Sequence, residues 1–247
     1  MTLRSKYYFY LLTGLLALLV IPLYAQENDQ TAKDFYWLKE YFDRSYGSDY
    51  NLLNGKYYQM PYINAIGHPF FNSDQFRKGS LLVNGVYYDV VMIRYDLYNQ
   101  SVVLMHIDYS GRMVQLELST EFIDEFTLDG KLFRKMSFPE TGIRFFQVVY
   151  TGEISCYLTW KKNLVFMSTS VTNPYTFTSQ SRKVYLYVSG QLRFIKSVSS
   201  LIEIFGSQYK KEIRRYKRRH GINLRNVSDE SLRQLIEYCI NLTDDKL

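Results

Sequence analysis

Residues 79–107 read GSLLVNGVYYDVVMIRYDLYNQSVVLMHI. Three runs within it, 79–83, 86–95 and 101–107, are rich in Val, Leu, Ile and Tyr, and Asn84-Gly85 separates the first two. A two-residue hairpin loop needs φ above zero at both central positions, which Asn and Gly tolerate, so this dipeptide predicts a type I′ turn and an antiparallel pair. The same punctuation recurs on either side. Asn54-Gly55 and Asp129-Gly130 carry the same signal, and Ser110-Gly111, Thr151-Gly152 and Ser189-Gly190 carry weaker forms of it. Between these turns, strands are expected near 56–60, 112–118, 121–127, 131–136, 143–150, 153–160, 163–169, 183–188 and 191–196. Strands joined by tight turns are antiparallel neighbours, so the expected architecture is a meander: a curved sheet, a sandwich or a barrel-like form. The polar stretch 170–181 reads as its longest loop.

The period changes from two to 3.6 at both ends of this region. Residues 31–46 (TAKDFYWLKEYFDRSY) place Phe35, Leu38 and Phe42 at helical spacing, with Gly47 where a terminating glycine belongs. After Lys196, residues 199–205 form a short helix closed by Gly206. A second helix opens at Ser207 as N-cap and runs to His220. A third opens at Ser228, with Asp229 and Glu230 in its first turn and a stripe of Leu232, Leu235, Ile236, Cys239 and Ile240. The fold class is therefore α+β, a predominantly antiparallel β-meander with an N-terminal helix and a C-terminal helical segment. Residues 26–196 form the first helix and the meander, and residues 197–247 form helices packed on the sheet.

Residues 1–25 read as a signal peptide. Arg4 and Lys6 precede the apolar run LLTGLLALLVI of 11–21, and Pro22 leads to a cleavage point after Ala25. The competing reading is an uncleaved anchor, since Tyr7 to Ala25 is about long enough to span a bilayer. No Cys follows the run, so the expected protein is not a lipoprotein. The expected location is the periplasm or the outer-membrane surface. The 247 residues carry 30 Lys+Arg against 24 Asp+Glu, and removing the signal takes away only the cations Arg4 and Lys6. The remaining net charge is +4, to which 207–220 (SQYKKEIRRYKRRH), with seven cations and the single acid Glu212, contributes +6 and the rest of the chain −2. Arg214, Arg215, Arg218 and Arg219 are candidates for an anionic membrane surface or a polyanionic glycan; an exported protein seldom meets nucleic acid. A solvated helix packed by Tyr209, Ile213 and Tyr216 is the plainer reading of the same segment.

A search for chemistry yields little. The chain has three His and no HxH, HExxH or CxxC spacing, so no metal or cofactor is expected. No GxSxG elbow and no glycine-rich phosphate loop are present. Asp89 with Asp96, or Glu121 with Asp124 and Glu125, could serve as paired carboxylates for a glycan-acting enzyme, but such pairs occur in any β-rich protein. His68, in a loop between aromatic residues, reads as a residue that hydrogen-bonds backbone. Cys156 and Cys239 read either as a disulfide or as two small buried hydrophobes. The clustered tyrosines (Tyr57, Tyr58, Tyr62, Tyr87, Tyr88, Tyr95 and Tyr98) suit pleated strand positions better than a sugar-stacking face.

The run LLNGKYYQMPY (52–62), then GHPFF (67–71), the 83–88 hairpin VNGVYY and RYDLY (94–98) resembles a family of exported proteins of Bacteroidota, as do the C-terminal LIEIFG (201–206) and LIEYCINL (235–242) segments. The resemblance covers most of the chain after residue 25 and implies an envelope address without an activity. Within it, His68, Arg94, Tyr95 and Asp96 are candidate binding residues. The helix 207–220 is more arginine-rich than the family resemblance implies. The expected function is a non-enzymatic binding or assembly protein of the envelope, acting on a partner protein or glycan. The alternatives are an extracytoplasmic glycan-acting enzyme and a peripheral membrane-surface binder.

Overall fold

The structure, a computed structural model, describes Trp37 and residues 52–244 apart from 54, 109 and 168–171. The chain divides into a unit of residues 1–50 and a unit of residues 51–247, and all the described residues except Trp37 belong to the second. The signal segment and the helix expected over 31–46 lie outside the described residues, Trp37 excepted.

Strands β2 (Arg77–Val83), β3 (Val86–Asp96), β4 (Ser101–Ile107) and β5 (Met113–Leu118) form a meander, and the short β1 (Gly55–Tyr57) adds to the outer side of β5. The chain then departs from a simple meander. β6 (Ile123–Leu128) pairs with the free side of β2, and β7 (Lys131–Phe138), β8 (Gly142–Tyr150), β9 (Ser155–Lys161), β12 (Ser181–Val188) and β13 (Gln191–Ile195) follow in that direction. The result is one eleven-stranded antiparallel sheet with β1 and β13 at its edges. β10 (Leu164–Phe166) and β11 (Tyr175–Phe177) make a separate two-stranded ribbon. β11 lies inside the stretch expected to be a loop. The dipeptides Asn84-Gly85, Asp129-Gly130 and Ser189-Gly190 all have φ above zero at both positions, so the hairpin reading holds at each.

The sheet must curl. β5 and β6 are four inter-strand steps apart, about 19 Å along a flat sheet. The connection from Leu118 to Ile123 spans at most about 18 Å when fully extended, and it is folded back by a Phe122 N–H bond to the Ser119 carbonyl at 3.2 Å. Contacts across the sheet show the same curvature. Tyr95 on β3 meets Phe133 on β7 and Phe145 on β8 at centroid distances of 5.4 and 6.0 Å. The Gln100 amide, in the β3–β4 turn, donates to the Trp160 carbonyl on β9 at 3.0 Å.

One register row explains the core. Tyr88, Leu81, Phe126, Phe133, Gln147, Leu158, Val184 and Ile195 stand opposite one another from β3 to β13, so they point to one face, and all are buried. A bulge keeps Tyr88 and Val91 in phase: the pairing Gly79–Val91 is followed by Leu81–Tyr88. Gly79 has no room for a side chain, because a Cβ there would lie 2.1 Å from the Thr127 carbonyl oxygen. The β3–β8 part of the row is filled by aromatic rings, including the stacked pair Phe126–Phe133 at 4.7 Å. The part on β9, β12 and β13 is covered by three helices, α1 (Val198–Phe205), α2 (Lys210–Arg219) and α3 (Asp229–Asp244). Ser228 caps α3 through its hydroxyl, 3.1 Å from the Ser231 N–H. Ser207 does not cap α2 as expected: it opens a 3₁₀ turn over Ser207–Tyr209 and makes no side-chain cap bond.

Gln147 is the polar member of the row, and it has a structural task. Its Oε1 accepts from the Trp160 indole at 2.8 Å and its Nε2 donates to Asp229 at 2.7 Å. Asp229, the first residue of α3, also accepts from Lys131 and from Arg182. This network fastens the last helix to β7, β8 and β12.

Candidate functional site

The structure brings together two of the motifs read from sequence. Segment 69–71 runs beside the end of β3: Phe71 N–H donates to the Tyr95 carbonyl at 2.8 Å and Leu97 N–H to the Pro69 carbonyl at 3.0 Å. His68, Arg94, Tyr95 and Asp96 therefore meet. Each is occupied by structure. The Asp96 carboxylate, 0% exposed, accepts from Tyr98 N–H (2.8 Å) and Asn99 N–H (2.9 Å) through Oδ1. Its Oδ2 accepts from the Tyr58 hydroxyl (2.8 Å) and Asn99 Nδ2 (3.1 Å). Asx bonding of this kind closes the β3–β4 turn and pins the segment after β1 to it. Burial, with Asp96 beside it, pushes the Tyr58 phenol far above its ordinary value.

Arg94 is clamped between the rings of Phe70 and Phe76, its guanidinium carbon 3.8 and 4.1 Å from their centroids. It donates to the Asp74 carbonyl at 2.7 Å and to Gln115 Oε1 at 2.8 Å. Tyr95 is a core residue whose hydroxyl donates to Gln100 at 2.9 Å. His68 accepts from the Phe70 N–H at 3.2 Å through Nδ1, as expected of a backbone-bonding loop histidine. Its backbone carbonyl accepts from Lys162 at 2.9 Å. Burial and the neighbouring Lys162 charge hold its imidazole pKa below the usual value. This cluster is a knot that fixes loops.

The candidate pair Asp89 and Asp96 is not assembled. Asp89 and Asp96 lie seven residues apart on the same extended strand, about 23 Å at the usual rise, far beyond the roughly 5–9.5 Å of a glycosidase pair. Asp124 and Glu125 are successive on β6 and so point to opposite faces, and each is paired with a cation, Lys135 and Arg134 respectively. Glu121, outside the strand, is exposed. A hollow of about 460 Å³ beside β1 is lined in part by His106, Asp108 and Arg112. Asp108 is committed there to the β4–β5 turn: the Ser110 hydroxyl (2.6 Å), the Arg112 amide (2.9 Å) and its guanidinium hold the carboxyl well below the usual carboxylate range. No cluster of three or more His, Cys, Asp or Glu suited to a metal occurs among the described residues.

Cys156 and Cys239 are free thiols, fully buried in the same cluster between sheet and helices. Burial pushes both up to about 12, so neither is a nucleophile. Arg214, Arg215, Arg218 and Arg219 are exposed on α2, and Ile213 and Tyr216 turn inward. No helix among the described residues is long and apolar enough to cross a membrane.

The surface that sequence reasoning missed is apolar. The β10–β11 ribbon is extended by a third segment: Ile66 N–H donates to the Tyr175 carbonyl and Phe177 N–H to the Ile66 carbonyl, both at 2.9 Å. Tyr62 packs on Tyr175 at 4.7 Å, and Phe166 on the same ring at 5.5 Å. The lobe so formed leaves Tyr62, Ile63, Ile66, Val165, Phe166 and Met167 outward, Ile63 at 83% and Phe166 at 62% exposure. Contiguous exposure of this kind marks interaction surfaces, because isolated domains otherwise keep such patches small. The run Val165-Phe166-Met167 was visible as a strand, but its exposure depends on a ribbon that stands apart from the main sheet.

Comparison of the chain with protein-family models, with curated proteins and with solved structures returns no match.

Proposed function

We propose that the protein is a non-enzymatic binding or assembly protein of the cell envelope, which docks a partner protein through the apolar lobe of residues 62–66 and 164–167. The observation that carries this reading is the exposure of Tyr62, Ile63, Ile66, Val165, Phe166 and Met167 on adjoining segments. The envelope address rests on the signal-like residues 1–25 and on the resemblance of LLNGKYYQMPY, GHPFF and RYDLY to exported proteins of Bacteroidota. The absence of enzymatic activity rests on the engagement of Asp96, Arg94 and His68 in fixing loops.

A photoreactive amino acid placed at Ile63 or Phe166 in the intact chain tests the reading in living cells. The expected result is one and the same cross-linked species from both positions, none from Lys183 or Arg193 on β12 and β13, and loss of that species when Phe166→Asp is combined with the Ile63 probe. Cross-linking that is equal at all four positions would remove the lobe from consideration. Turnover of a glycan substrate by the purified protein, lost on Asp96→Ala or His68→Ala, would instead establish the enzyme.

A further inference from the structure

The C-terminal helices present a second surface, far from apolar. α2 carries Lys210, Lys211, Arg214, Arg215, Lys217, Arg218 and Arg219, and none of these side chains has a hydrogen bond or ion pair among the described residues. Helix stability does not account for the arrangement. Lys217, Arg218 and Arg219 suit the negative end of the helix, but Lys210 and Lys211 stand at its positive end. Like charges also recur four apart, at 210/214, 211/215, 214/218 and 215/219, and such pairs disfavour the helix.

Three of the cations converge on a cavity. Arg214, Lys217 and Arg218 line a hollow of about 450 Å³ together with Val198, Gly221 and Ile222. Their i, i+3, i+4 spacing puts them on one helix face, and Glu212, the sole acid of α2, stands about 120–160° around the helix from all three. Val198 is the first residue of α1, whose first turn contains no acid and whose N-cap Ser197 makes no side-chain bond. The positive end of α1 therefore adds to the field of the three side chains in the same hollow. Among the described residues no carboxylate lines it. Three unpaired cations in a hollow this size match a multiply charged, compact anion better than a single carboxylate. A nucleic-acid backbone would need a longer track than one ten-residue helix, about 15 Å, supplies.

We propose that this hollow binds a phosphate-bearing group, with Arg214 and Arg218 donating to its oxygens and Lys217 supplying the third charge. The site is independent of the apolar lobe, so either can fail without the other. The test uses the full-length purified protein, inorganic phosphate as the soluble probe, and phosphatidylcholine vesicles with and without phosphatidylglycerol as the lipid probe. Phosphate is expected to shift the amide signals of Val198, Gly221 and Ile222 beyond the effect of chloride at equal ionic strength. The variant Arg214→Gln/Lys217→Gln/Arg218→Gln is expected to weaken binding at least about tenfold more than the charge-matched Lys210→Gln/Lys211→Gln/Arg215→Gln. All six side chains extend from the helix surface, and equal melting temperatures of the two variants verify that both fold. Sedimentation with phosphatidylglycerol vesicles, competed by phosphate, would assign the group to a lipid; amide shifts without sedimentation would assign it to a soluble ligand. Equal weakening in the two triple variants, or no shift beyond that of chloride, overturns the proposal.

Discussion

Asp96→Asn separates a carboxylate that holds a turn from one that performs chemistry. In the wild type, Oδ1 takes the Tyr98 and Asn99 backbone amides and Oδ2 takes the Tyr58 hydroxyl and Asn99 Nδ2, at 2.8 to 3.1 Å. An asparagine keeps its oxygen on the two backbone donors, but those bonds lose the negative charge that strengthened them. Its Nδ2 then faces Asn99 Nδ2, donor against donor, while the Tyr58 hydroxyl can rotate to accept. One bond is lost, one is reversed and two weaken from charged to neutral, which sums to about 2 kcal/mol. Asp96→Ala removes all four acceptor positions and leaves partly buried amides unpaired, at about 3–5 kcal/mol. Urea unfolding read by tyrosine fluorescence measures both, and Tyr58→Phe combined with Asp96→Asn measures the coupling between the two side chains. Amide exchange should accelerate first at Tyr98 and Asn99. A loss below about 0.5 kcal/mol for Asp96→Ala would refute the reasoning, since no buried four-acceptor carboxylate could then be holding the turn.

Three further outcomes follow from the geometry. Gly79→Ala should destabilise by more than about 3 kcal/mol or abolish soluble expression, because its Cβ would meet the Thr127 carbonyl at 2.1 Å across the β2–β6 ladder; a thermal melt reads this directly. Asp229→Ala should cost about 2–4 kcal/mol in urea, since it leaves Lys131 and the buried guanidinium of Arg182 without their counter-charge and releases Gln147. His68 has a folded-state pKa held below its ordinary 6.5, so the folded protein binds fewer protons than the unfolded chain below that pH. Its contribution is complete above pH 6.5 and is lost as the pH falls through the folded-state value. The urea midpoint should therefore decline on acidification from pH 6.5, and His68→Gln should flatten that part of the profile.

The features legible in sequence were those that local chemistry dictates. Asn84-Gly85 and Asp129-Gly130 announce their hairpins because only a few residues accept φ above zero twice in succession. Leu232, Leu235, Ile236 and Cys239 declare a buried helix face by their spacing alone. Partner choice is non-local and stayed hidden. Nothing in the segment 119–122 says that β6 will leave β5 and join β2, and Tyr175-Thr176-Phe177 is too short, among polar neighbours, to stand out as a strand. Ser207 has a suitable side chain for a cap, but the chain enters α2 through a 3₁₀ turn. The candidate residues fared similarly. His68, Arg94 and Asp96 could be picked out singly, but their common role depends on 69–71 lying along β3. The cations of α2 were plain in the sequence, and the hollow they share with Val198 and Gly221 was not.

The four residues between β5 and β6 limit how this molecule can move. They join strands that are non-adjacent in the ladder, so they act as a tie-rod across the curl. Flattening the five strands β5, β4, β3, β2 and β6 would draw the 119–122 segment out to its contour length. The segment therefore resists opening of the aromatic interior by flattening across those five strands. Strands β1, β7, β8, β9, β12 and β13 and the β10–β11 lobe lie outside the tie. A proteolytic cut within 119–122 would release the rod while leaving each ladder intact, converting a stiff curl into a sheet able to open.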